Sequence, residues 1–198
     1  MHEQLWEQLI TKDMNQTAKC GVCKHLPETN QLLIKMLGHE YTVSVSERRI
    51  FTFYDSIHER EAPFLVQLCI LAYLLNAREL PLSGKLVTAE KLEAGQFFFR
   101  GPHLLPTQKL EESFGENPDL LYTATELLDS RKRTYGDASV EILVLPRLPL
   151  IFVIWGSDEE FNARASILFD DTASSQLPLD ALMGAVNLTM KAMLEAVS

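Results

Sequence analysis

The sequence predicts an α+β fold in which antiparallel β-meanders pack against a buried central helix and a C-terminal helix. Strand-like and helix-like segments are segregated along the chain rather than alternating, which favours this class over a doubly wound fold. Apolar runs near the C-terminus are joined by short links, and a parallel sheet would need long crossovers between neighbouring strands. A glycine between two apolar runs, at 38, is a further hairpin signal.

The N-terminal segment, Met1 to Met14, predicts a short amphipathic helix because Leu5, Leu9 and Ile10 recur at helical spacing. Residues 15–26 are polar, and we expect an irregular segment there.

Residues 31–53 predict the first meander. The runs LLIKML and EYTVSV flank Gly38-His39, a pairing typical of a type II′ hairpin turn. A further strand follows at 50–53. The alternative interpretation makes residues 28–37 a helix that the chain enters through Pro27.

Residues 61–77 predict the central helix. This segment is apolar nearly all round, so we expect it to be covered on most sides. Its longest apolar stretch falls short of the ~20 residues that a membrane-spanning helix needs. Two further helices are expected, over 106–114 and from Pro118 to about Leu128.

The C-terminal part predicts three strands, over 139–145, 150–155 and 165–169. The middle run, LIFVIW, is continuously apolar, as in a strand buried on both faces. A last helix is expected to begin at Pro178.

The net charge and the opening residues limit which partners and which cellular location we expect. The net charge is −9, and the basic cluster 131–133 is short, which argues against nucleic acid and against an anionic membrane surface. The opening residues lack a secretory signal, so we expect one cytoplasmic domain over 1–198.

Cys20 and Cys23 are spaced so that two thiolates can grip one metal ion, iron or zinc, with His25 as a third ligand. Lys24 can lower a thiol pKa, which would instead suit redox chemistry. The third interpretation is a surface loop with two unremarkable cysteines.

Two other groups of residues are candidates for a site. Phe98, Arg100 and His103 can line a pocket for a flat or anionic ligand, or can belong to a core strand that ends in a loop. The acidic turn 158–160 can meet Asp170 and Asp171 at one end of the C-terminal meander, for a hard cation or for acid–base work. Acidic residues in turns are also commonly just solvated or ion-paired.

The chain resembles the DUF3786 family of uncharacterised proteins from anaerobic bacteria and archaea. The residues that carry this resemblance are LPRLPL at 145–150, the WGSDEEF turn at 155–161 and ILFD followed by LPLD within 167–180. The resemblance implies an accessory role beside iron–sulfur or corrinoid proteins. It also implies candidate residues, namely Gly84, Arg100, Arg147, Trp155, Asp158, Glu159, Glu160 and Asp170.

The favoured hypothesis is a non-catalytic binding or accessory protein for a metallocofactor or a tetrapyrrole, either haem or cobalamin. The expected cofactor-binding residues are His103, Arg100, Phe98, Arg147 and Trp155, and the expected metal ligands are Cys20, Cys23 and His25. The alternatives are an adaptor that docks onto an iron–sulfur or corrinoid protein, and an enzyme that uses the acidic turn or the two cysteines.

Overall fold

Two antiparallel sheets of five strands each organise the chain in a computed structural model, which describes residues 2–53 and 58–197. The first sheet follows chain order: β1 (Lys24–Leu26), β2 (Gln31–Met36), β3 (His39–Ser44), β4 (Arg49–Phe53) and β5 (Glu59–Glu61). The second has the spatial order β6-β10-β9-β8-β7, with β6 (Leu86–Thr88), β7 (Ser130–Lys132), β8 (Ala138–Leu145), β9 (Leu148–Trp155) and β10 (Arg164–Asp170).

The helices lie before, between and after the strands of these sheets. They are α1 (His2–Ile10), α2 (Met14–Gly21), α3 (Phe64–Asn76), α4 (Gly95–Phe98), α5 (Thr107–Phe114), α6 (Leu120–Ala124), α7 (Ala173–Gln176) and α8 (Leu179–Glu195), with short 3₁₀ turns at Ala89–Lys91 and Gly101–His103. The predicted α+β class with antiparallel sheets is confirmed. Within the described ranges, no helix combines the length and apolar character needed to cross a membrane.

The central helix α3 is the centre of the core. Its side chains from Cys69 to Leu74 are buried, and helices α1, α2 and α8 all pack against it. The prediction of a buried helix is therefore confirmed, although the helix is three residues shorter at its start because Pro63 precedes its first turn.

The β2–β3 hairpin confirms the strand interpretation of residues 31–36 over the helical one. Its turn differs from the prediction, because Met36 pairs with His39 and the two turn residues are Leu37 and Gly38. Their φ angles are 51° and 80°, and positive values at both positions define a type I′ turn rather than II′. The Leu37 N–H donates to the Val144 carbonyl of β8, over 3.0 Å, which ties the hairpin to the second sheet.

The C-terminal strands also agree with the prediction. Strand β9 is buried over its first seven residues, as its continuous apolar sequence indicated. It pairs with β8 on one side and β10 on the other, and helix α8 follows as expected.

Three segments differ from the sequence predictions. Residues 15–26 are not irregular: they contain most of α2 and all of β1, and the Asp13 carboxylate caps α2 by accepting from the Gln16 N–H over 2.7 Å. The aromatic run 97–99 lies at the end of a short helix and not in a core strand, because Gly95 and Gly101 bracket it with helical turns. The helix expected to reach about Leu128 ends at Ala124.

Candidate functional site

A cleft opens where the hairpin of β9 and β10 turns. Its volume is about 510 Å³, within the range of small-molecule sites. Seven residues line it. Six come from the end of β9, the following link and the start of β10, and one comes from just before β8: Trp155, Gly156, Asp158, Phe161, Asn162, Arg164 and Asp137.

Strand pairing sets the positions of the two central side chains. Trp155 ends β9 and is paired with Arg164, the first residue of β10. The Arg164 guanidinium carbon lies 5.5 Å from the Trp155 ring centroid, a cation–π distance. The link between the strands carries Phe161, whose side chain is 68% exposed. The exposed Phe161 ring therefore adds a second aromatic side chain to the lining of the cleft.

Hydrogen bonds to two carboxylates hold the cleft in shape. Asp158 Oδ1 accepts from the backbone N–H groups of Glu160 and Phe161, over 2.8 and 2.7 Å. The Gly156 N–H donates to Asp137 Oδ2, over 2.8 Å. Each carboxylate thereby fixes part of the link with one oxygen. Its second oxygen has no hydrogen-bond partner among the described residues, so it is available to a ligand.

The lining residues offer several kinds of contact to a ligand. They include two aromatic rings, two carboxylates, one guanidinium and one amide. The rings offer faces for stacking, and the polar groups can fix the orientation of a bound molecule.

The five residues predicted to bind a cofactor do not form one site. His103 stacks on Phe98 with ring centroids 4.6 Å apart, and the Arg100 guanidinium lies 5.9 Å from the Phe97 ring. Phe99, next to Phe98 in sequence, contacts Phe169 near the end of β10. The cleft lies at the start of β10, so this group is at the opposite end of the strand. Phe169 and Arg164 are five residues apart on that strand, or about 17 Å. Of the five, Trp155 alone lines the cleft.

Arg147 has a structural role instead. Its Nε donates to the Cys20 carbonyl over 2.8 Å, and its Nη1 donates to the Leu80 carbonyl over 3.1 Å. Its backbone N–H donates to the hydroxyl of buried Tyr73, which in turn donates to the Gly21 carbonyl. These contacts join the β8–β9 turn to the end of α2 and leave little of the guanidinium for a ligand.

The predicted metal ligands Cys20, Cys23 and His25 are close in sequence but are not gathered. No group of three or more His, Cys, Asp or Glu side chains that could hold a metal ion is found in ranges 2–53 and 58–197. Cys20 Sγ accepts from Gln16 Nε2, and His25 Nδ1 lies 2.8 Å from Asn15 Oδ1. Burial raises the pKa of the Cys23 thiol to about 11, so it is protonated at neutral pH.

The expectation that the acidic turn meets Asp170 and Asp171 is wrong. The turn is at the Arg164 end of β10, and Asp170 ends the strand about 20 Å away. Asp170 is buried and accepts hydrogen bonds from the backbone N–H groups and hydroxyls of Ser83 and Thr172, and from the Gly84 N–H. Although burial alone would raise its pKa, these hydrogen bonds hold the pKa below its ordinary value.

The sequence analysis missed five members of the cleft: Asp137, Gly156, Phe161, Asn162 and Arg164. Phe161 and Asn162 follow the acidic turn directly, so the register of the β9–β10 hairpin was the signal that could have placed them beside Trp155. Asp137 could not be found in this way, since it reaches the cleft through its contact with Gly156.

Comparison with known proteins identifies a protein family. A family model described as "Domain of unknown function (DUF3786)" matches residues 13–192. Neither the curated proteins nor the solved structures contain a significant match to the chain.

Proposed function

Since the chain belongs to the DUF3786 family, whose model matches most of its length, we propose that it is a non-catalytic binding protein for a flat, conjugated cofactor such as a tetrapyrrole. The observation that carries the proposal is the cleft in which Trp155, Phe161 and Arg164 line one opening. The ligand site is therefore centred on Trp155, and His103 lies outside it.

The cleft residues fit a conjugated ring better than they fit a bare metal ion. Stacking on Trp155 or Phe161 requires only an aromatic face, and an exposed Phe161 contributes contact area without a large entropy cost. The volume of about 510 Å³ and the open side of the cleft suit a ligand that is partly covered.

A metal-bearing ring bound in this cleft would receive no axial ligand from the described lining residues, since none is a histidine, cysteine, methionine or tyrosine. The chain's own residues would hold the ring by stacking, by the Arg164 guanidinium and by the carboxylates of Asp137 and Asp158. A bound haem would consequently lack the spectral bands that histidine ligation gives.

The enzyme alternative has less support. The thiol of Cys23 is protonated at neutral pH, whereas a nucleophilic or redox cysteine needs a lowered pKa.

An adaptor that docks onto an iron–sulfur or corrinoid protein is the second candidate. It is favoured by Phe97 and Leu104, which are 71% and 61% exposed and flank the His103 stack. Exposed apolar side chains of this size are common at interaction surfaces.

Fluorescence titration with haem and with cobalamin tests the binding proposal. The chain has two tryptophans, and Trp6 is buried at 3% exposure, so quenching by a ring in the cleft should come mainly from Trp155. We expect Phe161→Ala to weaken binding about tenfold, because it removes a stacking face and its apolar area. Phe97→Ala is the matched control, as it removes an equally exposed phenylalanine outside the cleft.

Two results would contradict the proposal. One is the absence of any saturable quenching or spectral change with either tetrapyrrole. The other is an equal loss of affinity in Phe97→Ala and Phe161→Ala, which would place the ligand elsewhere or show that binding is non-specific.

A further inference from the structure

We infer that the cleft around Trp155 selects planar ligands that carry positive charge or N–H donors over anionic ligands of the same size. This inference rests on the proposed function, because it specifies the chemical class of ligand for the same cleft. Of the two tetrapyrroles, it favours cobalamin, whose side chains are amides, over haem, whose two propionates are anionic. It follows from the charges and ring faces of the described lining residues.

The carboxylates outnumber the cations at this site. Asp137 and Asp158 line the cleft, and the exposed Glu159 and Glu160 follow on the same link. Arg164 is the one cation among the described lining residues. Like charges a few ångströms apart repel, so an anionic ligand meets an unfavourable local field, to which the net charge of −9 adds.

Hydrogen-bonding capacity points to the same ligand class. The oxygens Asp137 Oδ1 and Asp158 Oδ2 are acceptors without a partner among the described residues. An ionised carboxylate can only accept, so a complementary ligand must donate. A ligand with N–H groups or a delocalised cation can pair with both exposed oxygens, whereas a carboxylate or sulfonate cannot.

The Trp155 ring already accepts a cation in this structure. The Arg164 guanidinium lies over it, with the guanidinium carbon 5.5 Å from the ring centroid. The ring quadrupole is what attracts positive charge there. Phe161 offers a second, exposed ring face with the same preference.

A pair of synthetic porphyrins of similar size and opposite charge tests the inference. The cationic probe is tetra(N-methylpyridyl)porphyrin and the anionic probe is tetra(sulfonatophenyl)porphyrin, each titrated into the full chain while Trp155 fluorescence and the porphyrin spectrum are followed. We expect the cationic probe to bind at least about tenfold more tightly at low salt, and the difference to shrink as salt screens the carboxylates.

Isosteric variants assign the preference to the cleft. Asp137→Asn and Asp158→Asn keep an oxygen that can accept the backbone hydrogen bonds, so the link should keep its shape while losing charge. Each should reduce the preference for the cationic probe by about threefold, and Glu28→Gln, an exposed acid in the β1–β2 turn, should leave it unchanged.

The possible failures are distinguishable. If both probes bind and quench Trp155 but the anionic one binds as tightly or more tightly, the charge inference is overturned and the binding function stands. If the preference persists in a chain that carries both Asp137→Asn and Asp158→Asn, the carboxylates do not determine it and the inference is again overturned. If neither probe binds, the proposed function fails and the inference fails with it.

Discussion

The Arg147 side chain donates a hydrogen bond from Nε to the carbonyl oxygen of Cys20, over 2.8 Å and across 127 positions of sequence. The same guanidinium reaches the Leu80 carbonyl. One side chain from the β8–β9 turn therefore fixes the end of α2 and the segment after α3. This relationship explains an arginine in the family-like LPRLPL sequence without assigning it to a ligand.

Arg147→Ala should destabilise the fold by about 2 kcal/mol, because charge-assisted hydrogen bonds to two carbonyls are lost. The stability of Arg147→Lys should lie between that of Arg147→Ala and that of the unsubstituted protein, since one ammonium group cannot reproduce the several fixed donors of a guanidinium. Urea denaturation measures both. Arg100→Ala is the control, because Arg100 is exposed and its guanidinium lies over the exposed Phe97 ring, so we expect a loss of stability below about 0.5 kcal/mol. Equal effects at both arginines would contradict this role.

The buried carboxylate of Asp170 should make stability depend on pH. Its pKa in the folded chain lies below its ordinary value, since hydrogen bonds from Thr172, Ser83 and Gly84 outweigh burial. A group with a lowered folded-state pKa contributes stability above its unfolded pKa and loses it as the pH falls through the folded value. We therefore expect the free energy of unfolding to decrease from about pH 5 downward.

The variant Asp170→Asn tests this assignment. It should lower the free energy of unfolding by about 2 kcal/mol at neutral pH. A carboxylate accepts stronger hydrogen bonds than a neutral amide, and at least four are donated to Asp170. The variant should also flatten the decrease of the unfolding free energy at acidic pH. Asp171→Asn is the control, since Asp171 forms a surface ion pair with Lys85 at 3.5 Å. An unchanged acid slope in Asp170→Asn would assign the pH dependence to other carboxylates.

The strands with an apolar pattern of their own were predictable from sequence, and the strands of three residues were not. Strands β2, β3, β8, β9 and β10 carry their own apolar pattern, so their hairpins could be predicted. Strands β1, β5, β6 and β7 have three residues each and exist because a partner strand supplies their hydrogen bonds. Such strands leave almost no periodic signal of their own.

The spacing of residues along the sequence predicted less about the candidate sites than it did about the strands. The motif Cys20-x-x-Cys23 indicates that two thiols are neighbours, but not that α2 ends between them with Val22 in the left-handed region. Nor does it indicate that Cys23 packs against the core. Trp155 was identified by resemblance, while the positions of its neighbours in the cleft depend on the β9–β10 hairpin register, which the sequence analysis did not predict.

The thiols of Cys23 and Cys69 should react slowly in the native protein. Burial raises their pKa values to about 11 and about 12. At pH 8 the thiolate fraction of Cys23 is then about a hundredfold lower than that of a thiol with a pKa of 9.0. Alkylation of Cys20→Ser by iodoacetamide, with mass spectrometry to locate the adduct, should show modification rates that still rise above pH 9. A plateau below pH 9 would contradict the raised pKa of Cys23 and revive a redox role.

The turn at Leu37 and Gly38 should be sensitive to a single methyl group. Gly38 has φ of +80°, and a Cβ there would lie 3.3 Å from both the Asp129 nitrogen and the Leu127 oxygen. Gly38→Ala therefore combines left-handed strain with crowding against backbone atoms, and we expect a loss of about 2–3 kcal/mol. Gly101→Ala separates the two effects, because Gly101 also has a positive φ, +55°, but has no atom within 4 Å of the added Cβ. It should cost only the backbone strain, about 1 kcal/mol.

Thermal and urea unfolding of both variants measures the difference. Because the Leu37 N–H joins the turn to β8, the Gly38 variant should also loosen the contact between the two sheets, visible as faster amide exchange at Leu37. Equal destabilisation in the two variants, with unchanged exchange at Leu37, would show that the hairpin tip does not depend on its packing against residues 127–129.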